Sequence, residues 1–344
     1  MSSRFLVLVG IISLCLGVEN AKAQDLIQTP LPDCKEEGLS SKIFENRPWY
    51  EPLPATPHEA QTVIMSNWSK PFEYMVKPGT HYIWEVSLGR EIPIVVWDSG
   101  NGGDIPIGKG CWGFGLWAPI GFHLILDFGD PSDPMINTDY QFGFMGKAAY
   151  GVSNRDRLGF KFQVGHQSSH LAGDFTVNAL GIFGEKFRRV DVNYEFYEVG
   201  ISWEKLYSWG GTVTKRLSST FTAGHGHQGF YSHGVRNGVL LLPSERNYEP
   251  AVGLQYMPSA SHGWRPYVAY DAHLLTTYDY DRQSEQWEKA RVSQSLVLGL
   301  RNFDHQSRGV PDFVVKFYRG RNPNGQFRNQ NTYWTAGFGV YIRP

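Results

Sequence analysis

A histidine and a serine two positions apart, His166 and Ser168, are the residues of this chain whose types and spacing best suit catalysis. They belong to the run GHQSSH at 165–170, which ends a predicted strand. Because alternate residues of a strand point to the same side, the two side chains are predicted to be neighbours on one face. An imidazole beside a hydroxyl can take its proton and activate it as a nucleophile. The spacing therefore suggests a serine hydrolase, and the alternative is a hydrogen-bonded cluster that anchors a loop.

The face that carries this pair is otherwise apolar. Phe160, Phe162 and Val164 share it, whereas Lys161 and Gln163 lie on the opposite face. Polar groups on a lipid-facing surface are costly unless they are functional or lie above the hydrocarbon. We therefore expect any chemistry to take place at the outer rim of a lipid-facing wall.

A loop rich in arginine, asparagine and glycine, from Arg319 to Arg328, is the second candidate site. Outside a barrel, its cations could contact anionic lipid headgroups. The residues assigned to binding are His170, Arg319, Arg321, Asn324 and Arg328. The alternative is a solvated loop with balanced charge.

A metal site is not predicted. His225 and His227 share one strand face, with His233 beyond them, which is compatible with metal binding. No carboxylate or cysteine follows nearby to complete a ligand set. The cofactor stays unknown, although a lipid hydrolase would need an oxyanion donor or a calcium ion, and the sequence locates neither.

Long strands of alternating polarity are needed to position these residues. In 287–301 an apolar face alternates with a polar one, and in 188–197 the same period recurs. In the second segment, Tyr194 and Phe196 are predicted to face lipid, with Asn193 and Glu195 on the wet side. Soluble sandwiches more often use strands of about five or six residues. Strands this long with one charged face favour a barrel in a membrane.

Twelve such segments predict an all-β fold, an antiparallel transmembrane β-barrel of about 12 strands (10–14). The predicted strands are 59–67, 81–97, 113–127, 138–152, 157–170, 188–202, 211–226, 249–257, 264–277, 287–302, 311–320 and 331–342. A barrel of this size is narrow and filled by side chains. We therefore expect little general porin conductance.

Composition and targeting agree with an exported β-protein. Aromatic residues make up 15% of the 344 residues, and 32 Lys plus Arg balance 33 Asp plus Glu, which excludes a strongly basic nucleic-acid binder. Residues 1–23 have the features of a signal peptide, with cleavage expected after Ala23. We therefore predict a bacterial outer-membrane location, a periplasmic extension over 24–57 and a barrel over 58–344. Outer-membrane lipids are the expected partners, and the oligomeric state stays open.

Two cysteines, Cys34 and Cys111, remain after removal of the signal peptide. In an oxidising periplasm they could form a disulfide, and two unpaired buried thiols are the alternative. The sequence does not give the distance that decides between the two.

The His-x-Ser pattern on a predicted outer wall resembles the way in which outer-membrane phospholipase A and the lipid A 3-O-deacylase present their nucleophile to lipid. The resemblance covers this motif and the strand count. It implies a nucleophile at Ser168, a base at His166 and an orienting Asn or Glu about a dozen residues later, where this chain has Leu180. Nearby candidates for that role are Asn178, Glu185 and Asn193, and we assign it to Asn193. Because alternation puts Asn193 on the wet face, a β-bulge would have to turn it toward His166.

A resemblance over most of the mature chain is to the Domain of Unknown Function 1207 family. The stretches that carry it are PHEAQ at 57–61, EVSLG at 85–89, HQSSHL at 166–171 and YRGRNPNGQF at 318–327. The resemblance implies an exported barrel-like protein without an established activity. One departure is the run AGD at 172–174, where the family pattern would have Gly-Asp-Glu.

Three functions follow as hypotheses. The first is an outer-membrane barrel with a structural, binding or narrow-transport role. The second is a phospholipid or lipid A acyl hydrolase that uses His166 and Ser168 on the outer wall. The third is a soluble secreted β-protein. We favour the first, and the second is its most specific alternative.

Overall fold

The computed structural model describes residues 40–43, 50, 53–56, 59–70, 80–99, 109–128, 135–183, 188–190, 192–207, 211–224, 235–236, 239–242, 248–258, 263–275, 291–302, 311–324, 327 and 333–342. The strands in these residues are β1 (Ser40–Ile43), β2 (Thr62–Ser69), β3 (His81–Asp98), β4 (Trp112–Asp127), β5 (Met135–Gly151), β6 (Asp156–Leu171), β7 (Arg188–Val190), β8 (Val192–Tyr207), β9 (Gly211–Gly224), β10 (Val235–Arg236), β11 (Val239–Leu242), β12 (Tyr248–Met257), β13 (Trp264–Leu275), β14 (Arg291–Asn302), β15 (Pro311–Gly320) and β16 (Tyr333–Ile342). One helix, α1 (Gly173–Phe183), is described between β6 and β7. No described helix is both long and apolar enough to cross a membrane.

Twelve of the described strands form one closed antiparallel barrel: β2 to β6, β8, β9 and β12 to β16. The barrel closes where β2 pairs with β16, from Thr62 opposite Ile342 to Ser69 opposite Thr335. Closure leaves no strand edge in the bilayer, so the backbone hydrogen bonds can be satisfied within the protein. The predicted all-β barrel of about 12 strands is therefore confirmed, and each predicted segment overlaps one barrel strand. This is the fold of outer-membrane β-barrels.

Because side chains alternate along each strand, one face of the strand meets lipid and the other lines the lumen. Along β6, Phe160 and Phe162 are exposed on the outer wall, whereas Lys161 is buried in the lumen. Along β14, Val292 faces outward and Ser293 and Ser295 face inward, as the period predicted. The apolar face thus meets the bilayer and the polar face lines the lumen.

The predicted alternation of β8 was wrong in its first half. Tyr194 and Phe196 are buried in the lumen, and Asn193 and Glu195 face outward. The Phe196 ring occupies the space that a side chain at Gly165 would need on β6. Glycine on the paired strand therefore makes room for an aromatic ring inside the barrel. The apolar character of such a ring does not by itself indicate contact with lipid.

The described residues just before β2, at 50, 53–56 and 59–61 and called here the N-terminal segment, lie inside the barrel. Tyr50, Leu53 and Ala55 are buried there, and the Tyr50 hydroxyl and a Leu53 methyl fill the spaces next to Gly200 and Gly253 of the barrel wall. This differs from the extended periplasmic arrangement predicted for 24–57. Its apolar side chains are removed from water only by entering the lumen.

The chain before residue 50 is described only at β1. β1 pairs with the end of β3, from Ser40 opposite Asp98 to Ile43 opposite Val95. Cys111 is buried and disulfide-bonded. Its possible partner, Cys34, and the expected cleavage position after Ala23 lie outside the described residues.

The lumen is filled at the end of the barrel where α1 lies, called here the α1 end. Phe175 and Ala179 of α1 pack with Phe327, Tyr318 and Tyr333 in one apolar cluster. The rings of Phe175 and Phe327 meet edge to face at 5.9 Å. Together with the N-terminal segment, this cluster occupies part of the lumen.

Candidate active site

His166 and Ser168 lie on the outward face of β6, close to the α1 end. This face continues from Phe160 and Phe162, both exposed, to His166, Ser168 and the exposed His170. The residues between them turn inward, and Ser169 donates a hydrogen bond to Asn137 Oδ1 at 3.1 Å. The long outward apolar run ends where the polar run begins, so the polar groups lie at the rim of the lipid-facing band.

Glu195 on β8 is the direct cross-strand neighbour of His166. Its Oε1 lies 3.3 Å from Nδ1 of His166, and the two side chains are 22% and 29% exposed. Because a carboxylate only accepts, the imidazole donates through Nδ1 in this contact. That arrangement leaves Nε2 as the nitrogen that can accept a proton.

Sequence reasoning missed Glu195 because the predicted alternation put it in the lumen. The residues that indicate its outward position lie in the later half of β8. Tyr197, Val199, Ile201 and Trp203 are all exposed on the outer wall. Counting back from this apolar run by twos reaches Glu195.

Ser168 lies between two cross-strand neighbours, Tyr140 on β5 and Asn193 on β8. Asn193 was predicted to need a β-bulge to leave the wet face, and that was wrong. The pairing of β6 with β8 is continuous from Asp156 to Ser169, so no bulge is involved. Asn193 therefore lies opposite Ser168, and the residue opposite His166 is Glu195.

No hydrogen bond joins Ser168 to His166 among the described residues. In structures without substrate, such contacts are often long and tighten only when substrate binds. Aromatic rings limit the space around the pair. The centroids of Phe142 and His166 are 5.2 Å apart, and the Tyr140 and His170 rings meet edge to face at 5.8 Å.

The predicted lipid-binding set is not brought together. His170 is exposed beside Ser168, but Arg319 is exposed on β15, six strands away around the barrel. Arg321 and Asn324 are buried, at 2% and 0% exposed, so the prediction that they contact lipid headgroups was wrong. The loop folds into the lumen, where Asn324 Oδ1 lies 3.1 Å from Nε2 of His123. Arg328 lies outside the described residues.

A second cluster of charged side chains lies in the lumen. Glu59 of the N-terminal segment accepts from Nη1 of Arg216 at 2.8 Å, and Nζ of Lys161 lies 3.5 Å from the same oxygen. Lys161 also pairs with Glu198 at 2.7 Å, and the Arg216 guanidinium lies 4.1 Å from the Tyr50 ring centroid. These charges are buried and matched, so they hold the segment in place.

A cavity of about 40 Å³ remains between the N-terminal segment and the loop after β15. Polar and charged side chains, including Glu59, Glu85 and Lys316, line part of it. A volume of this size can hold a few waters. Within the described part of the chain, no group of three or more His, Cys, Asp or Glu side chains is placed to hold a metal ion. His225, His227 and His233 lie outside that part.

Comparisons with known proteins do not assign the chain to a family. No family model matches the chain, and no curated protein matches it. Among solved structures, outer membrane phospholipase A from Escherichia coli has 9% identity and a TM-score of 0.44, covering 88% of this chain and 95% of its own. The transport unit of the autotransporter AIDA-I from Escherichia coli has 12% identity and a TM-score of 0.42, covering 86% and 93%. At these values the likenesses carry no argument about activity.

Proposed function

We propose that this protein is an outer-membrane lipid acyl hydrolase with Ser168 as nucleophile, His166 as base and Glu195 as the residue that positions the base. The observation that carries the proposal is the contact between His166 Nδ1 and Glu195, with Ser168 two residues along the same lipid-facing surface. A nucleophile, a base and a group that orients the base are the three parts of serine catalysis. All three face the medium in which a lipid substrate is found.

The chemistry follows from these positions. Oγ of Ser168 bonds to the ester carbonyl carbon while its proton passes to Nε2 of His166. The bond from that carbon to the alcohol oxygen then breaks, and His166 gives the proton to the departing alcohol. Water attacks the acyl-serine, its proton passes to His166, and the fatty acid leaves as the proton returns to Ser168. Glu195 stabilises the imidazolium in both halves of the reaction.

The substrate class follows from the surface around the pair. Phe142, Phe144 and Phe162 are exposed next to His166 toward the bilayer centre and can contact acyl chains. At the far end the connections at 152–155, 208–210 and 258–263 are short, whereas the connection at 99–111 is longer. Short turns are typical of the periplasmic side, so the α1 end is expected to face outward. Phospholipid or lipid A esters of the outer leaflet are therefore the proposed substrates.

The test is hydrolysis of phospholipid and of lipid A by the refolded protein, with calcium and with a chelator. Ser168→Ala is expected to lower the rate at least about 10³-fold. Ser219→Ala is the matched control, because Ser219 shares the outward face of β9 with exposed Leu217 and Phe221. A fluorophosphonate should label the wild type and not Ser168→Ala. Equal rates in Ser168→Ala and the wild type would disprove the proposal.

The second candidate is a barrel with a structural or binding role, favoured by the buried N-terminal segment. Tyr50, Leu53 and Thr56 occupy the lumen, and Thr56 Oγ1 donates to Asp271 at 3.1 Å. We therefore expect planar bilayers with this protein to show no large unselective currents. A folded wild type without hydrolysis or labelling would leave this role in place, and porin-sized currents would contradict it.

A further inference from the structure

The serine lacks an assigned partner for the oxygen that becomes negative during attack. Acyl transfer passes through a tetrahedral intermediate, and a donor aimed at its oxyanion supplies a large part of the rate. Such a donor must lie beside the nucleophile, on the same side of the barrel wall. The candidates are the outward-facing residues next to Ser168.

Neighbours along the strand on the inward side are not available. The side-chain Oε1 of Gln167 accepts from the Tyr194 hydroxyl at 2.9 Å, and the Ser169 hydroxyl donates to Asn137 Oδ1. Both therefore belong to the lumen. The outward neighbours that remain are Tyr140, Asn193 and His170.

Tyr140 is held in an aromatic row. Its ring meets Phe122 at 5.0 Å and His170 at 5.8 Å, both edge to face. Two ring contacts fix its plane, and the phenol oxygen lies at the far end of that ring from the backbone. His170 is one of these contacts and lies farther toward the rim than Ser168. His170 is not opposite Ser168 in the strand pairing. Tyr140 is opposite Ser168, as Asn193 is, but its two ring contacts already hold its plane.

Asn193 is directly opposite Ser168 in the register of β6 and β8. Directly opposed residues of antiparallel strands have Cβ atoms about 4.5–5.5 Å apart. Asn193 is half-buried and carries an amide that donates two hydrogen bonds without a charge. An amide donor beside the serine can reach an oxyanion formed on the serine's ester.

The two strands therefore form a square of four functional groups. At one level His166 faces Glu195, which positions the base, and at the next level Ser168 faces Asn193. We propose, resting on the proposed hydrolase function, that Asn193 is a catalytic residue that donates a hydrogen bond to the oxyanion. Both pairs are directly opposite in the register of β6 and β8, and the His166–Glu195 pair also has a side-chain contact at 3.3 Å.

The experiment compares Asn193→Ala with Ser168→Ala and the wild type in the lipid hydrolysis assay. Asn193→Ala is expected to lower kcat about 10²–10³-fold with KM almost unchanged, since the contact exists only in the transition state. Asn193→Asp should lose at least as much, because its charge repels the oxyanion, and Asn193→Gln should recover part of the rate. Gln294→Ala, an exposed amide on the outer wall of β14, is the matched control and should leave kcat unchanged. Heat-dependent gel mobility reports folding of each variant.

The outcomes separate this inference from the function beneath it. Ser168→Ala inactive with Asn193→Ala within about threefold of wild type would overturn the role of Asn193 and leave the hydrolase intact. A 10²-fold loss in Tyr140→Phe with none in Asn193→Ala would move the donor to Tyr140. Full activity in Ser168→Ala would overturn both proposals.

Discussion

The outer wall and the lumen contain the same kinds of charged side chain in opposite settings. In the lumen, Glu59 accepts from Arg216 at 2.8 Å and from the backbone N–H of Leu53 at 2.8 Å. This carboxylate ties the N-terminal segment to the barrel wall. On the outer wall, Glu195 contacts His166 at 3.3 Å, where the two strands are already joined by backbone hydrogen bonds. That contact holds no additional segment.

The difference separates charges that the fold needs from charges that it does not. A buried carboxylate between two cations stabilises the folded state through desolvated, matched contacts, and removal of one partner is costly. A partly exposed ion pair contributes about 0–1 kcal/mol to stability. The His166–Glu195 pair therefore has little structural value, although it stands at the edge of a lipid-facing surface where polar groups are unfavourable. The proposed function would explain its presence there.

The largest expected effect is that of His166→Ala on hydrolysis. Without a base, Ser168 keeps its proton, and kcat should fall by about 10⁴–10⁶-fold. The free energy of unfolding in urea should change by less than about 1 kcal/mol, because the side chain is partly exposed. A variant that is unstable as well as inactive would show that the outer pair is structural, and the contrast with the lumen would fail.

Glu195→Gln is expected to have the next largest effect. The amide keeps the shape of the carboxylate but cannot stabilise an imidazolium, so kcat should fall about 10³-fold with KM unchanged. Glu195→Asp should recover part of the loss. A rise in KM with constant kcat would instead assign Glu195 to substrate binding, and equal rates would remove it from the mechanism.

Glu59→Ala should lower stability and leave hydrolysis unchanged, which is the reverse of the pattern expected for the outer-wall variants. Loss of this carboxylate leaves Arg216 buried without its main partner and frees Leu53, and we expect about 3 kcal/mol of destabilisation in urea unfolding. Hydrolysis by the folded fraction should match the wild type. In a double-mutant cycle, Glu59→Gln with Arg216→Met should cost less than the sum of the single changes. Additive costs would show that the two side chains are not coupled.

The barrel could be predicted because its signal repeats. Most barrel strands alternate apolar and polar side chains over ten or more residues, and the predicted strand 287–302 begins four residues before β14 and ends with it. His166 and Ser168 share an outward face because the same alternation holds along β6. The period is local, so a single sequence contains it in full.

The contents of the lumen could not be predicted in the same way. Residues 50–61 have no strand period, and the burial of the described ones depends on distant partners such as Arg216 and Asp271. For a related reason, the sequence predicts Tyr194 on the lipid-facing side and Glu195 in the lumen, which is the reverse of their positions in the structure. Narrow barrels admit aromatic rings opposite glycine, so hydrophobicity alone does not distinguish a lumen-facing ring from a lipid-facing one.

The smallest expected effect is that of Arg319→Ala on stability. It distinguishes Arg319 from Arg321, which the sequence predicts to be in the same lipid-binding set. Arg319 is exposed on the outer wall, whereas Arg321 is buried and its backbone N–H donates to Ser293 Oγ at 3.0 Å. Arg319→Ala should lower stability by at most about 1 kcal/mol in anionic bilayers and not in zwitterionic ones, because its charge meets only headgroups. Arg321→Ala should destabilise the barrel equally in both, since a buried side chain does not sense the lipid. Unfolding in vesicles of the two compositions measures this, and a lipid-dependent loss in Arg321→Ala would place that side chain on the outer surface after all.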